Sequence, residues 1–240
     1  MKTAIKLLYP DQCVSCGEPV DGAFGLCGSC WSDTPFITGG LICDTCGTPL
    51  PGDDDSGQAL KCDDCMTLAR PWQRGRAAMV YSGNARRLIL ALKHGDRLDL
   101  ARPAAKWLAR AGQPLLVPET LMVPIPAHWT RLLQRKYNQA AVLAQHLARE
   151  VGVAYVPDSL IRPRRTTPHE GMTLTARFAN MQDAIRPHPK RGARLKGKRV
   201  LLVDDVMTSG ATFAAAAEAA FQAGACDVST LALARVVKDR

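Results

Sequence analysis

Eight of the nine cysteines in this 240-residue chain fall within the first 65 positions. They form four Cys-x2-Cys pairs: Cys13 with Cys16, Cys27 with Cys30, Cys43 with Cys46, and Cys62 with Cys65. A two-residue gap lets both thiolates of a pair face one metal from a tight turn, and two pairs complete the four sulfur ligands that tetrahedral Zn²⁺ accepts. Consecutive pairs would place Cys13, Cys16, Cys27 and Cys30 on one ion and Cys43, Cys46, Cys62 and Cys65 on another. A crossed arrangement, with the first and third pairs sharing a metal, satisfies the same spacing, and iron–sulfur ligation uses the same thiolates. A disulfide framework is disfavoured, because Lys2 and Lys6 bracket only a few apolar residues before Pro10 and Asp11, which is no secretion signal. The chain is therefore expected to be cytoplasmic. Four thiolates per ion leave no open coordination position, so these zinc sites read as structural. Gly17, Gly28 and Gly47, beside or between paired cysteines, suit turns that need positive φ. Cys226, alone between Ala225 and Asp227, reads as a small buried residue.

A second constellation lies near the C-terminus. Asp204 and Asp205 end an apolar run (Arg199 to Val206) and are followed by Thr208, Ser209, Gly210, Ala211 and Thr212. Such a turn offers successive backbone N–H groups and hydroxyls at a positive helix end, which cradles phosphate. The adjacent carboxylates can accept hydrogen bonds from neighbouring hydroxyls. A phosphate and a diol so close together describe a ribose 5-phosphate.

These groups need a frame. The run Arg199–Val206 reads as a strand, residues 211–223 as an alanine-rich helix stopped by Gly224, and Val228–Val236 as another strand, a βαβ unit and hence a parallel sheet. Ala85, Leu88, Ile89 and Leu92, and again Ala140, Leu143, Ala144 and Leu147, fall at helical spacing, and Leu121–Pro126 reads as a buried strand. Open sheets of this kind bind ligands at the carboxyl ends of their strands. Residues 157–187 read as a loop-rich excursion. No segment reaches the ~20 apolar residues of a spanning helix.

The run from Val200 to Thr212 resembles the thirteen-residue phosphoribosyl pyrophosphate (PRPP) signature of type I phosphoribosyltransferases. Together with the cysteine modules, Val123-Pro-Ile-Pro126, Arg135-Lys-Tyr-Asn-Gln139 and Arg177-x2-Asn180, it makes the whole chain resemble the ComF/GntX family of competence-associated proteins. The resemblance implies a double zinc ribbon over residues 1–70, joined through Arg70-Pro71-Trp72 to a phosphoribosyltransferase-like α/β domain over 71–240. It implies that Asp204 and Asp205 hold the ribose hydroxyls and that residues 208–212 cradle the 5-phosphate. Pro124, Ile125, Pro126 and Ala127 would form the pyrophosphate loop, and Arg135, Lys136 and Arg177 would supply basic or hood contacts. Mg²⁺ would accompany PRPP. The family commonly carries Gln near the position of His169. No residue reads as a general base or as a reader of an acceptor nucleobase, so the sequence predicts PRPP binding without assigning turnover.

Charge divides the chain the same way. Residues 1–70 hold 4 Lys/Arg against 10 Asp/Glu, whereas 71–240 hold 27 against 12. The acidic zinc region is a poor fit to DNA and a better one to a basic protein partner. The basic half, dense in Arg and Lys over 161–199, fits a phosphate backbone, and the resemblance points to DNA uptake and single-stranded DNA.

Overall fold

The computed structural model describes residues 10–22, 25–52, 58–94, 97–167 and 171–237. His169 lies outside them. The core is a parallel sheet of β1 (Gly75–Val80), β2 (Thr120–Pro124), β3 (Ala154–Tyr155), β6 (Arg199–Met207) and β7 (Asp227–Arg235), in the order β1-β7-β6-β2-β3. Period-two alternation divides β6 between two cores. Val200 and Leu202 join one, together with Phe213 and the alanines of α8 (Ala211–Gln222), which Gly224 ends at φ +87°. Leu201 and Val203 join the other, which takes its apolar stripes from α3 (Gly83–His94), α4 (Ala101–Gly112) and α6 (Gln139–Val151).

The excursion after β3 is more ordered than loop chemistry suggested. A two-stranded antiparallel pair, β4 (Leu160–Ile161) with β5 (Arg186–Pro187), closes it, and α7 (Leu174–Met181) is capped by the Thr173 hydroxyl, which accepts from the Ala176 N–H. Buried Met181, Ala184 and Ile185 anchor it to the core, and that burial outweighs its Pro and Arg content.

Each cysteine module is a tight turn carrying one pair followed by a short helix carrying the second cysteine of the next: α1 (Gly28–Ser32) holds Cys30 and α2 (Asp63–Thr67) holds Cys65. Gly17 and Gly47 adopt φ of +84° and +71°, as their turns require. Gly28 does not, since it starts α1 after Cys27 in extended conformation. Cys226 also departs from expectation: it is exposed, its Sγ 3.5 Å from the Gly197 carbonyl, because Ala225 takes the inward position at the junction between α8 and β7.

The second module is fused to the sheet. Cys43, Cys46 and Cys65 belong to the same buried cluster as Trp72 and Phe213. Arg76, buried on β1, donates to Asp44 Oδ1 at 2.6 Å, and the Gly75 N–H donates to the Asp44 carbonyl at 2.9 Å. A Cβ at Gly75 would stand 2.4 Å from the Thr45 carbonyl oxygen. Residues 35–37 run antiparallel along the outer edge of β1, with the Ile37 N–H donating to Ala78 and the Val80 N–H to Pro35. Among the described residues no helix is long and apolar enough to cross a membrane.

Candidate functional site

The carboxyl ends of β2 and β6 open into a cleft of about 550 Å³. Asp204 and Asp205 stand at its base, delivered by β6. Asp205 is buried, and Lys93 from the last turn of α3 places its Nζ 3.1 Å from Asp205 Oδ1. The Asp205 N–H donates to Asp204 Oδ1 at 2.8 Å. Burial, with the neighbouring Asp205 charge second, pushes the Asp204 carboxyl up to about 7 against the opposing pull of Lys93 and Arg162. The pair therefore does not cap α8; it faces the cleft.

Thr208 and Thr212 line the next stretch of wall. Ser209, Gly210 and Ala211 form the turn behind them, where Gly210 takes φ +84° and the Ser209 hydroxyl accepts from the Ala211 N–H at 3.4 Å. The first turn of α8 leaves N–H groups without intrahelical partners at this point. Ile125, Pro126 and Ala127 form a third wall, while Pro124 remains within β2, paired with Val203. Asn138 fixes that wall: its Nδ2 donates to the Ile125 carbonyl at 2.9 Å while its Oδ1 accepts from the Ala140 N–H at the start of α6. The Asn-Gln dipeptide thus ties a loop to a helix end.

The opposite side is cationic. Arg131 and Arg135 reach it from α5 (Trp129–Arg135), with Arg135 3.5 Å from the Gln139 amide oxygen. Arg162 enters after β4, buried, donating to the Thr166 hydroxyl and, at 3.5 Å, to Met181 Sδ, with its Nε unpartnered among the described residues. Burial lowers its pKa to about 10, which still leaves it charged at neutral pH. Lys136 caps the end of α5 in left-handed conformation, and Arg177 donates its Nε to the Met172 carbonyl; neither lines the cleft. A negative floor, a hydroxyl-rich turn and a cationic roof can hold a sugar diol and several phosphates together.

Sequence reasoning missed Lys93, Tyr81 and Gln134 in this lining. Lys93 carried no local signal, since a lysine in the last turn of an amphipathic helix ordinarily faces water. Arg235, behind the cleft rather than in its lining, did carry one: it is a lone cation closing the apolar run Leu231–Ala234.

The cysteines gather as two sets, Cys13, Cys16, Cys27, Cys30 and Cys43, Cys46, Cys62, Cys65, each with its sulfurs within 4.8 Å of one another. The crossed pairing is thereby ruled out. Across pairs, Cys16 and Cys27 Sγ lie 3.6 Å apart, as do Cys46 and Cys62 Sγ. That separation is too long for a disulfide and close to the edge of a tetrahedron, about 3.8 Å, drawn by four sulfurs at ~2.3 Å from zinc. Both sets fit a zinc ion.

The double zinc ribbon domain family matches residues 4–66, and the phosphoribosyl transferase domain family matches residues 138–240. The DNA utilization protein YhgH of Escherichia coli K12 is 28% identical over 238 residues, spanning 96% of this chain and all of that protein. Competence protein F of Haemophilus influenzae is 26% identical over 231 residues, spanning 93% of this chain and 96% of that one. Among solved structures, glutamine PRPP amidotransferase from B. subtilis aligns over 60% of this chain and 30% of its own, at 18% identity and a TM-score of 0.40.

Proposed function

Because this chain belongs to the ComF family, with a double zinc ribbon ahead of a phosphoribosyltransferase domain, we propose that it is a PRPP-binding protein of DNA uptake. One observation carries the reading: Asp204, Asp205, Thr208, Thr212, residues 125–127 and Arg162 converge on one cleft from three separate stretches of the chain. In this reading Asp204 and Asp205 accept from the ribose 2- and 3-hydroxyls, and the 208–212 turn donates N–H and hydroxyl groups to the 5-phosphate. The 125–127 wall and Arg131, Arg135 and Arg162 face the diphosphate. Mg²⁺ accompanying PRPP would supply charge neutralisation at the diphosphate, which Arg131, Arg135 and Arg162 would help to hold. The residues of the chain orient the sugar, screen its phosphates and narrow the access of water. No side chain in the cleft is assigned as a general base, and the acceptor is left to a screen for pyrophosphate release.

The test is a calorimetric titration of Mg²⁺-PRPP into the zinc-loaded protein and into the Asp204→Asn/Asp205→Asn double variant. Binding by the first and not the second supports the reading. Absence of binding by both leaves the signature as a fold element and refutes it.

A second reading, contact with single-stranded DNA, is favoured by α5. This helix buries none of its residues, exposes Trp129, Leu132 and Leu133, and carries Arg131 and Arg135 with Lys136 at its end. An exposed indole among cations is a base-stacking platform. Salt-sensitive oligonucleotide binding that survives the aspartate substitutions and is lost in Trp129→Ala supports it; binding unaffected by Trp129→Ala counts against it.

A further inference from the structure

Two arginines, the buried Arg235 and the half-buried Arg70, lie between the second zinc centre and the phosphate turn. Arg235, at the end of β7, is 4% exposed. Its Nη1 donates to the Met207, Thr208 and Val236 carbonyls, and its Nη2 points at Cys46 Sγ, 3.9 Å away. Arg70 donates Nη1 to the Ser209 carbonyl at 2.9 Å and packs its guanidinium 5.7 Å from the Trp72 ring and 5.2 Å from the Phe178 ring. Trp72 in turn donates its indole N–H to Thr45, inside the Cys43–Cys46 turn, at 2.6 Å. A Cβ on Gly210 would stand 3.0 Å from that indole. Three consecutive carbonyls, at 207, 208 and 209, are therefore held by Arg235 and Arg70, neither of which lines the cleft, and Arg235 also faces Cys46. A peptide whose carbonyl is held on one side presents the following N–H on the other, which is the side a phosphate would occupy.

The electrostatics give the arrangement its direction. Four thiolates around Zn²⁺ carry a net charge of −2. A buried guanidinium without such a neighbour would be costly. No carboxylate bonds Arg235 among the described residues, so the zinc–thiolate cluster is the anion beside it. The first centre lacks this link. Arg87 approaches Cys30 Sγ at a similar 3.8 Å, but its other partners are Ser15 and Asn84, in the zinc region and on α3.

We propose that Arg235, assisted by Arg70, is a positioning residue that makes the second zinc centre a support of the phosphate turn, so that zinc at Cys43, Cys46, Cys62 and Cys65 and phosphoribosyl ligand in the cleft stabilise one another. The inference rests on the PRPP reading for the identity of the ligand, and on geometry alone for the link between zinc and turn. The coupling is reciprocal: whatever factor zinc adds to ligand affinity, ligand adds to zinc affinity.

The experiment uses the full chain with both zincs and follows two quantities, Mg²⁺-PRPP affinity by calorimetry and zinc release to a colorimetric chelator. Arg235→Met, with two zincs retained at the start, is expected to bind PRPP about tenfold more weakly, the loss of one to two charge-assisted hydrogen bonds. Arg235→Lys is expected to recover part of the affinity, and Arg87→Met to stay within about twofold of wild type, as befits an arginine beside a thiolate that touches no part of the turn. In the wild type, PRPP should slow the release of one of the two zincs, and Arg235→Met should abolish that slowing. A general structural defect would move both zincs and would not depend on ligand. Should the wild type fail to bind PRPP, the functional reading falls, and the link is then decided by Gly210→Val, which drives a side chain into Trp72: faster release of one zinc sustains it, unchanged release of both overturns it. With PRPP binding intact, equal affinity in Arg235→Met and wild type overturns it as well.

Discussion

Removing the positive charge at Lys93 should destabilise the protein in a pH-dependent way. In Lys93→Met the apolar stem stays and the ammonium 3.1 Å from Asp205 Oδ1 is lost. Both side chains are largely buried, at 21% and 10% exposure. Breaking a buried pair typically costs about 3–5 kcal/mol because a charge is left unmatched. Here the cleft admits water, and the carboxyl of Asp204, already raised to about 7, can take up a proton. These two reliefs bring the expected cost at pH 8 down to about 2–3 kcal/mol, or roughly 4–12 °C in melting temperature for a chain of this size. At pH 5.5 the Asp204 carboxyl is protonated, so one fewer negative charge is left unmatched and the loss should shrink to less than half. Thermal unfolding at both pH values, for Lys93→Met, Asp205→Asn and the double variant, measures this. The double variant should recover most of the loss, giving a coupling energy of about 2 kcal/mol at pH 8. A Lys93→Met protein that melts within about a degree of wild type at pH 8, or one whose loss is the same at both pH values, would refute the reasoning.

The Asp204 carboxyl titrates near 7 in the folded chain against 3.8 when unperturbed, so the native state holds a proton that the unfolded state has released; stability should fall as pH rises from about 4 to 7, and Asp204→Asn should flatten that slope in denaturant titrations. Gly75→Ala places a methyl group 2.4 Å from the Thr45 carbonyl and 2.7 Å from Thr230 Oγ1, so a loss of about 1–3 kcal/mol is expected in urea unfolding, with earlier zinc release to chelator. Cys226 is exposed and makes one long contact, so Cys226→Ser should leave melting temperature and zinc content unchanged while removing the thiol that reacts first with a bulky maleimide.

The parts of this molecule governed by local chemistry could be read from the chain. Cysteine spacing marks all eight ligands, because a two-residue gap leaves few ways to present two thiolates to one ion. The 199–236 βαβ unit was legible because its apolar runs, turn and alanine-rich helix agree with one another. What could not be read depends on distant segments meeting. Lys93 and Asp205 are far apart in sequence and meet only because β1 and β6 flank β7 in the sheet. Arg162 looked like one cation among many in a basic stretch, yet it is buried, whereas Lys136 and Arg177 turned away from the cleft. The choice among consecutive and crossed cysteine pairings was likewise a question of assembly. Cys226 shows the opposite case, for its residue type is usually buried while here Ala225 takes the inward position and leaves the thiol exposed.

The strip of chain at residues 35–37 has a consequence for how this protein can be handled and inherited. It pairs with the outer side of β1, which would otherwise present unsatisfied N–H and C=O groups along an apolar strand. A terminal strand left open in that way recruits strands from other molecules. The cysteine-rich region is thus also a lid on an adhesive margin, and a recombinant piece starting near residue 71 should accumulate as inclusion bodies while the intact chain stays dispersed. The same contact limits evolutionary shuffling: a lineage that discarded the cysteine modules would need another segment, or charged residues along β1, to blunt that margin.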